Sequence, residues 1–448
     1  MTPSGGNFTT GADLPTTILD TLQDLATETA PLVVSAAVAS SLVSCMVSVL
    51  LSMAPTVASS ATTVAGSAPM GDLFSFWLLL DYLQFLASSG HMEMPSAPPF
   101  YHDFTDSLSW TVLTVPPTWS PRPPEPASLA IARGDIIAGV LAYAQRLSIH
   151  PETLFAATAV GFGCVVGAVV VVVSVLYGAI RLCFAARLRR VKAKLKAEIP
   201  QDRLFLRLLL QSALGIALVS EYALSMTASF QLRFADSRAL CLATLALTLV
   251  CCGLLVLGVC MLYGKSAADL AEPGFKFTWG GYYKTYSFEH RYFFVAKMGA
   301  EIGSGVIIGA VSDVPTQLTL LLSLQLVMFL YTTHCNPYLL DFQNVCASAA
   351  FVMKMVTYAL LSSFVSATAD SDVANIVGTA ALVLQVTLLL LFNSRQLYII
   401  TKQATCLWHR VRRMRKARRQ AKEDAIVAEQ LRRDSFVQTC EQMHRASL

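Results

Sequence analysis

Four ionisable residues, Asp81, Glu221, Glu301 and Lys354, stand inside stretches otherwise apolar enough to cross a bilayer. A charge at the centre of a membrane helix costs about 2.5–3.5 kcal/mol on insertion scales, so it faces a partner or a wet cavity. Acids around such a cavity supply oxygen ligands and negative potential for cations, so the four are candidates for an ion pathway. The plain alternative is an ion pair, Glu221 or Glu301 with Lys354, that locks two helices; a proton relay is the third. Soluble chemistry finds no foothold. The chain has no HExxH, no GxSxG and no CxxC, and its seven His residues are scattered. Gly258 and Gly264-Lys265-Ser266 approach a phosphate-binding loop, but with one residue too many between the glycines. The expectation is no enzyme, catalytic residue, metal centre or cofactor.

The elements that hold these residues follow from composition. Over 448 residues, 54% are apolar and 14% charged, against about a quarter charged in ordinary globular domains. Mean hydropathy is +0.55, and several runs approach the roughly 20 apolar residues of a membrane helix. The expected fold is all-α, a polytopic bundle of about nine transmembrane helices, near residues 31–54, 73–89, 153–184, 204–230, 238–263, 292–312, 316–333, 345–368 and 376–400. Residues 1–30 read as a short polar segment outside the cytosol, 31–400 as the membrane domain and 401–448 as a basic helical tail. The proline-rich loop 90–150, with nine prolines between Pro95 and Pro126, excludes a continuous helix.

Charge orients the bundle. Of the 33 Lys and Arg, nine lie in Arg181–Arg207 and twelve in Lys402–Arg445, which places the linker 185–203 and the tail in the cytosol by the positive-inside rule. An odd number of spans then puts the acidic N-terminus outside, where the sequon Asn7-Phe8-Thr9 also fits. The eleven cysteines lie mostly in or beside apolar runs and imply no disulfide framework. Arg187, Arg190 and Lys194, and Arg410, Arg412, Arg413 and Arg415, form basic amphipathic stretches suited to anionic lipids or a calmodulin-like partner. Topology alone also selects such charges; nucleic acid is a poor partner for clusters beside a bilayer. Gly299, Gly303, Gly305 and Gly309 repeat at four-residue spacing on one span, as do Gly163 and Gly167 on another. Small residues so placed let helices approach closely, or serve as a hinge.

Two blocks carry a resemblance. The first is Phe76-Trp77, Tyr82-Leu83-Gln84-Phe85-Leu86, Met94-Pro95, Phe104 and Leu108-Ser109-Trp110; the second is Trp279-Gly280-Gly281-Tyr282-Tyr283-Lys284-Thr285-Tyr286, Arg291-Tyr292-Phe293-Phe294 and Asn336-Pro337-Tyr338 with Asn344. In this order they resemble the fungal TRP-like, flavin-carrier family, with Asn336 where that family usually has Arg. The family's N-terminal lumenal lipid-binding domain has no counterpart in the chain. The resemblance implies a membrane domain related to TRP and polycystin channels, with roles in cation conduction (calcium above all), flavin transport and wall maintenance. The leading expectation is a TRP-like cation channel or channel-related transporter in the plasma membrane or an endomembrane. A flavin-nucleotide carrier and a non-conducting scaffold are the alternatives. Candidate partners are the bilayer, anionic lipids, a calmodulin-like protein and further copies of the chain.

Overall fold

A segment surrounded by hydrocarbon must satisfy its backbone N–H and C=O groups internally, so the apolar runs fold as helices. The structure, a computed structural model, describes residues 13–53, 71–114, 138–187, 201–234, 237–365 and 371–446. In chain order the helices are α1 (Asp13–Met53), α2 (Gly71–Ser89), α3 (Pro99–Asp106), α4 (Ala138–Arg146), α5 (Leu154–Arg187) and α6 (Gln201–Phe234). Then come α7 (Ser237–Ala246), a π-helical turn Leu247–Cys252, α8 (Gly253–Leu262), α9 (Ala267–Ala271) and α10 (Pro273–Tyr283). The last four are α11 (Phe293–Ala310), α12 (Val314–Cys335), α13 (Asp341–Leu361) and α14 (Ser371–Ala446). There is no strand among the described residues, in keeping with an all-α polytopic bundle.

Eight candidate spans are long and apolar enough to cross a membrane, from Asp20–Ser44 to Asp372–Cys406. The ninth expected helix, α2, forms but is not one of the eight. Asp72, Asp81 and Gln84 dilute its hydropathy, and from Leu83 to Met92 every residue is buried. A helix surrounded by other helices need not be apolar all round, because its polar groups meet protein partners rather than lipid. The sequence also places the start of α1 too late. The helix begins at Asp13 rather than near residue 31 and runs through Pro31.

The chain divides into two units, one of Met1–Val34 with Trp77–Leu388, the other of Ser35–Phe76 with Leu389–Leu448. In the first unit α6 and α11 pack closely, and the reason is local. A Cβ on Gly305 would collide with the Ser225 hydroxyl, and one on Gly309 with the carbonyl of Met226. Gly299 meets nothing within 4 Å and Gly303 touches only the Leu324 side chain, at 3.7 Å. Close approach therefore belongs to the second glycine pair; Gly163 and Gly167 likewise meet nothing, while Gly161 abuts the Leu113 carbonyl.

The proline-rich loop contributes a small cap to the same unit. Pro98 precedes α3 and Pro99 opens it, where a missing N–H costs nothing. Arg146 at the end of α4 grips Asp106 through Nε at 2.6 Å and Nη2 at 3.1 Å, and donates to the Gly90 carbonyl at 2.7 Å. In the second unit, Ser40 donates to Asn393 at 2.9 Å and Arg395 donates to Ser75 at 2.7 Å.

A charged cavity inside the bundle as candidate functional site

Asp81 lies mid-way along α2, Glu301 mid-way along α11 and Lys354 beyond the middle of α13, so all three sit at similar depth. The structure brings them around one cavity of about 50 Å³, room for a few water molecules. Its lining also takes Gln84, Phe85 and Ser88 from α2, Tyr222 from α6, Lys297 and Ser304 from α11, Gln325 and Met328 from α12, and Phe351 and Tyr358 from α13. Lys354 Nζ donates to Asp81 Oδ2 at 2.9 Å and lies 5.5 Å from the centre of the Phe85 ring. Glu301 does not reach for Lys354; it pairs with Lys297 at 3.7 Å on its own helix. The interhelical lock is thus Asp81–Lys354, joining α2 to α13.

Neighbouring polar groups are tied back to protein. Gln84 Nε2 donates to the carbonyls of Thr111 and Val219, both at 2.8 Å, so one amide joins α2 to the cap and to α6. Gln385 Nε2 donates to the Thr357 hydroxyl at 2.8 Å, and the Tyr82 hydroxyl donates to Gln385 Oε1. Gln325 is the exception, since its buried Oε1 meets no hydrogen-bond partner among the described residues. A buried acceptor left in this state costs about 1–3 kcal/mol unless water or a cation reaches it, and the cavity is where either would stand.

Glu221, the fourth sequence candidate, is not part of this lining. It is fully buried in α6, and neither carboxylate oxygen has a hydrogen-bond partner among the described residues. Its carbonyl lies 3.9 Å from Cys251 Sγ, in the π-helical turn. The Tyr282 phenol of α10 senses Glu221 as well; burial, and then that carboxyl, push it above its ordinary range.

Lys297 belongs to the site although it was not among the four residues singled out from sequence, and it lies in the same span as Glu301. Its signal was the i,i+4 spacing to Glu301, which sets opposite charges on one helix face. Gln325, Tyr222, Ser88 and Ser304 carry no such signal, because isolated polar residues recur throughout the spans. Among the basic candidates, Arg190 and Lys194 lie outside the described residues. Arg187 falls at the last residue of α5, and Arg410, Arg412, Arg413 and Arg415 fall within α14; Arg412 is exposed, as are Lys416 and Arg419. No group of three or more His, Cys, Asp or Glu suited to a metal occurs among the described residues.

A polytopic helical membrane protein whose charged residues converge on one small cavity between helices is the class defined by fold and site. Residues 124–427 match the family model described as transient receptor potential (TRP) ion channel. That is more than half of the chain, and the protein belongs to this family, one of ion channels rather than enzymes. The matched region contains the second aromatic block, Trp279–Asn344, and begins after the first. No curated protein and no solved structure matches the chain.

Proposed function

We propose that the protein conducts cations, calcium among them, through the unit that holds the charged cavity. Asp81 and Glu301 are the oxygen ligands, and Lys297 and Lys354 are tethered cations that occupy them while the pathway is closed. The observation that carries this reading is the convergence of two carboxylates, two ammoniums and the unpartnered Gln325 carbonyl on one small void between helices. The two lysines balance the two carboxylates. Displacing a lysine leaves a paired acidic site of the kind hard divalent cations favour. The void of about 50 Å³ is far below the roughly 300 Å³ at which sites for organic molecules begin, which favours an ion over a flavin nucleotide.

The same reading sets the N-terminus and the cap 90–150 outside and the tail in the cytosol of a plasma or internal membrane. The hydrogen bond from Thr379 to Gln23, at 3.4 Å, supports it by joining the early part of α1 to the early part of α14. Beyond Cys406, α14 continues to Ala446, about 60 Å at 1.5 Å per residue. Arg412, Lys416 and Arg419 share one face of it at i, i+4 and i+7 spacing, a surface for anionic lipid headgroups or an acidic calmodulin-like partner.

Purified protein in liposomes loaded with a calcium dye tests the reading. Lys354→Gln is expected to raise calcium entry and Glu301→Gln with Asp81→Asn to lower it. Entry indifferent to all three substitutions discards the cavity as the pathway, and saturable flavin uptake without ion flux favours the carrier.

A further inference from the structure

Both halves of the second aromatic block meet at one point, and the ion-pathway reading does not by itself use them. The loop after α10 and the loop before α13 pair as a short antiparallel bridge at Tyr286 and Tyr338. Ser287 N donates to the Pro337 carbonyl at 2.8 Å and Leu339 N to the Thr285 carbonyl at 3.0 Å. The chain reaches this bridge through Asn336, which caps α12 in the left-handed conformation, φ 44°, an arrangement Asn tolerates better than most residues. Asn344 then brackets Tyr338: its Oδ1 accepts from Tyr338 N at 3.0 Å and its Nδ2 donates to Tyr338 O at 3.3 Å.

The bridge gathers aromatic rings into one layer. Tyr286 and Tyr338 lie 5.2 Å apart, Tyr286 and Phe293 5.3 Å, Phe293 and Tyr338 5.8 Å, and Phe293 and Tyr331 5.2 Å, centre to centre. Helical register puts this layer directly beside the cavity. On α11, Phe293 precedes Lys297 by four residues and Glu301 by eight, so the three share a face with about 6 Å between turns. On the antiparallel α12, the cavity residues Gln325 and Met328 are followed one turn later by Tyr331. On α13, Phe351 and Lys354 line the cavity, and Asn344 lies two turns nearer the bridge. The phenols feel the charges: burial first, then the Glu301 and Asp81 carboxylates push Tyr286 above its ordinary range, against the pull of Lys297.

We infer that the Tyr286–Phe293–Tyr338 layer, held by the 285–287/337–339 bridge, is the seal that closes the charged cavity toward the end of the bundle bearing loops 263–292 and 336–340. The inference rests on the cavity being the ion pathway. Opening parts the bridge and tilts the rings aside, which lets water and ions pass between that end and Asp81, Lys297, Glu301 and Lys354. The linker 263–292 is the handle, because it ends in the bridge and leads directly into α11, the helix that carries Lys297 and Glu301.

Accessibility separates the seal from conduction. Ser304→Cys places a thiol in the cavity wall, and its modification by a membrane-impermeant cationic thiol reagent is followed in oriented vesicles, with the parent chain as background. Tyr286→Ala and Tyr338→Ala are each expected to speed modification at least tenfold from the face bearing these loops and to leave the other face unchanged. Tyr286→Phe keeps the ring and is expected to keep the slow rate. Asn344→Ala, which leaves every ring in place and loosens the bridge, is expected to speed modification severalfold and carries the test if the ring variants do not fold. Unchanged modification rates in the folded variants overturn the seal. Faster modification without faster calcium entry leaves the seal standing and overturns the pathway reading instead.

Discussion

Two acid-bearing regions lie in the same unit and answer burial differently. Around the cavity, Asp81 faces the Lys354 ammonium at 2.9 Å and Glu301 faces Lys297 at 3.7 Å, with space for water between the helices. Around Glu221 there is neither an ammonium within salt-bridge distance nor a hydrogen-bond partner for either oxygen among the described residues. The Gly305 and Gly309 contacts press α11 against the stretch of α6 that follows Glu221. An acid at membrane depth is thus no functional site by identity alone. What distinguishes the cavity is a counter-charge from another helix.

The largest effect should come from breaking the interhelical pair. Asp81→Asn or Lys354→Met leaves one buried charge alone, and such changes cost about 3–5 kcal/mol. Thermal unfolding in detergent should show the loss, and the swapped pair Asp81→Lys with Lys354→Asp should recover a good part of it. Melting unaffected by the single changes would place the two regions on the same footing. The contact between α6 and α11 comes next. Gly309→Ala drives a methyl into the Met226 carbonyl and is expected to destabilise by about 1–3 kcal/mol, whereas Gly299→Ala, facing open space, should stay within about 0.5 kcal/mol.

Acidification probes the cap over the charged region. Burial, and then the Arg146 guanidinium, hold His91 neutral down to about 3, and the same two causes lower His102. Their folded-state values lie below the unfolded one, so the unfolded chain binds more protons in acid. The stability they contribute is whole above about pH 6.5 and falls as pH drops toward 3. Hydrogen exchange across 90–114 should accelerate over that window, and His91→Phe should flatten the response. Glu221→Gln is expected to have the smallest effect, below about 1 kcal/mol, since no hydrogen bond is lost among the described residues. A large loss in unfolding measurements would mean that Glu221 does hold a charge partner.

Much of the site was legible because charge is conspicuous against hydrocarbon. Asp81, Glu301 and Lys354 stood out from their apolar surroundings, and all three line the cavity. Which acid takes which base was not legible. Lys354 is 53 residues from Glu301 and 273 from Asp81, and linear spacing says nothing about distance between helices. Lys297 needed only its helical register to Glu301. The aromatic block was visible as residues, yet Tyr286 and Tyr338 lie 52 positions apart, and their pairing emerges only where two loops meet.

Local chemistry already settled that this polypeptide lives in a bilayer as helices, because backbone groups in hydrocarbon have no other partner than their own segment. It marked the places where a polar side chain must find company. Who that company is, where a void remains and which glycines bring helices together are properties of packing. They depend on the relative rotation and depth of α2, α6, α11, α12 and α13, quantities fixed by contacts between segments remote in the chain and carried by no single run of residues.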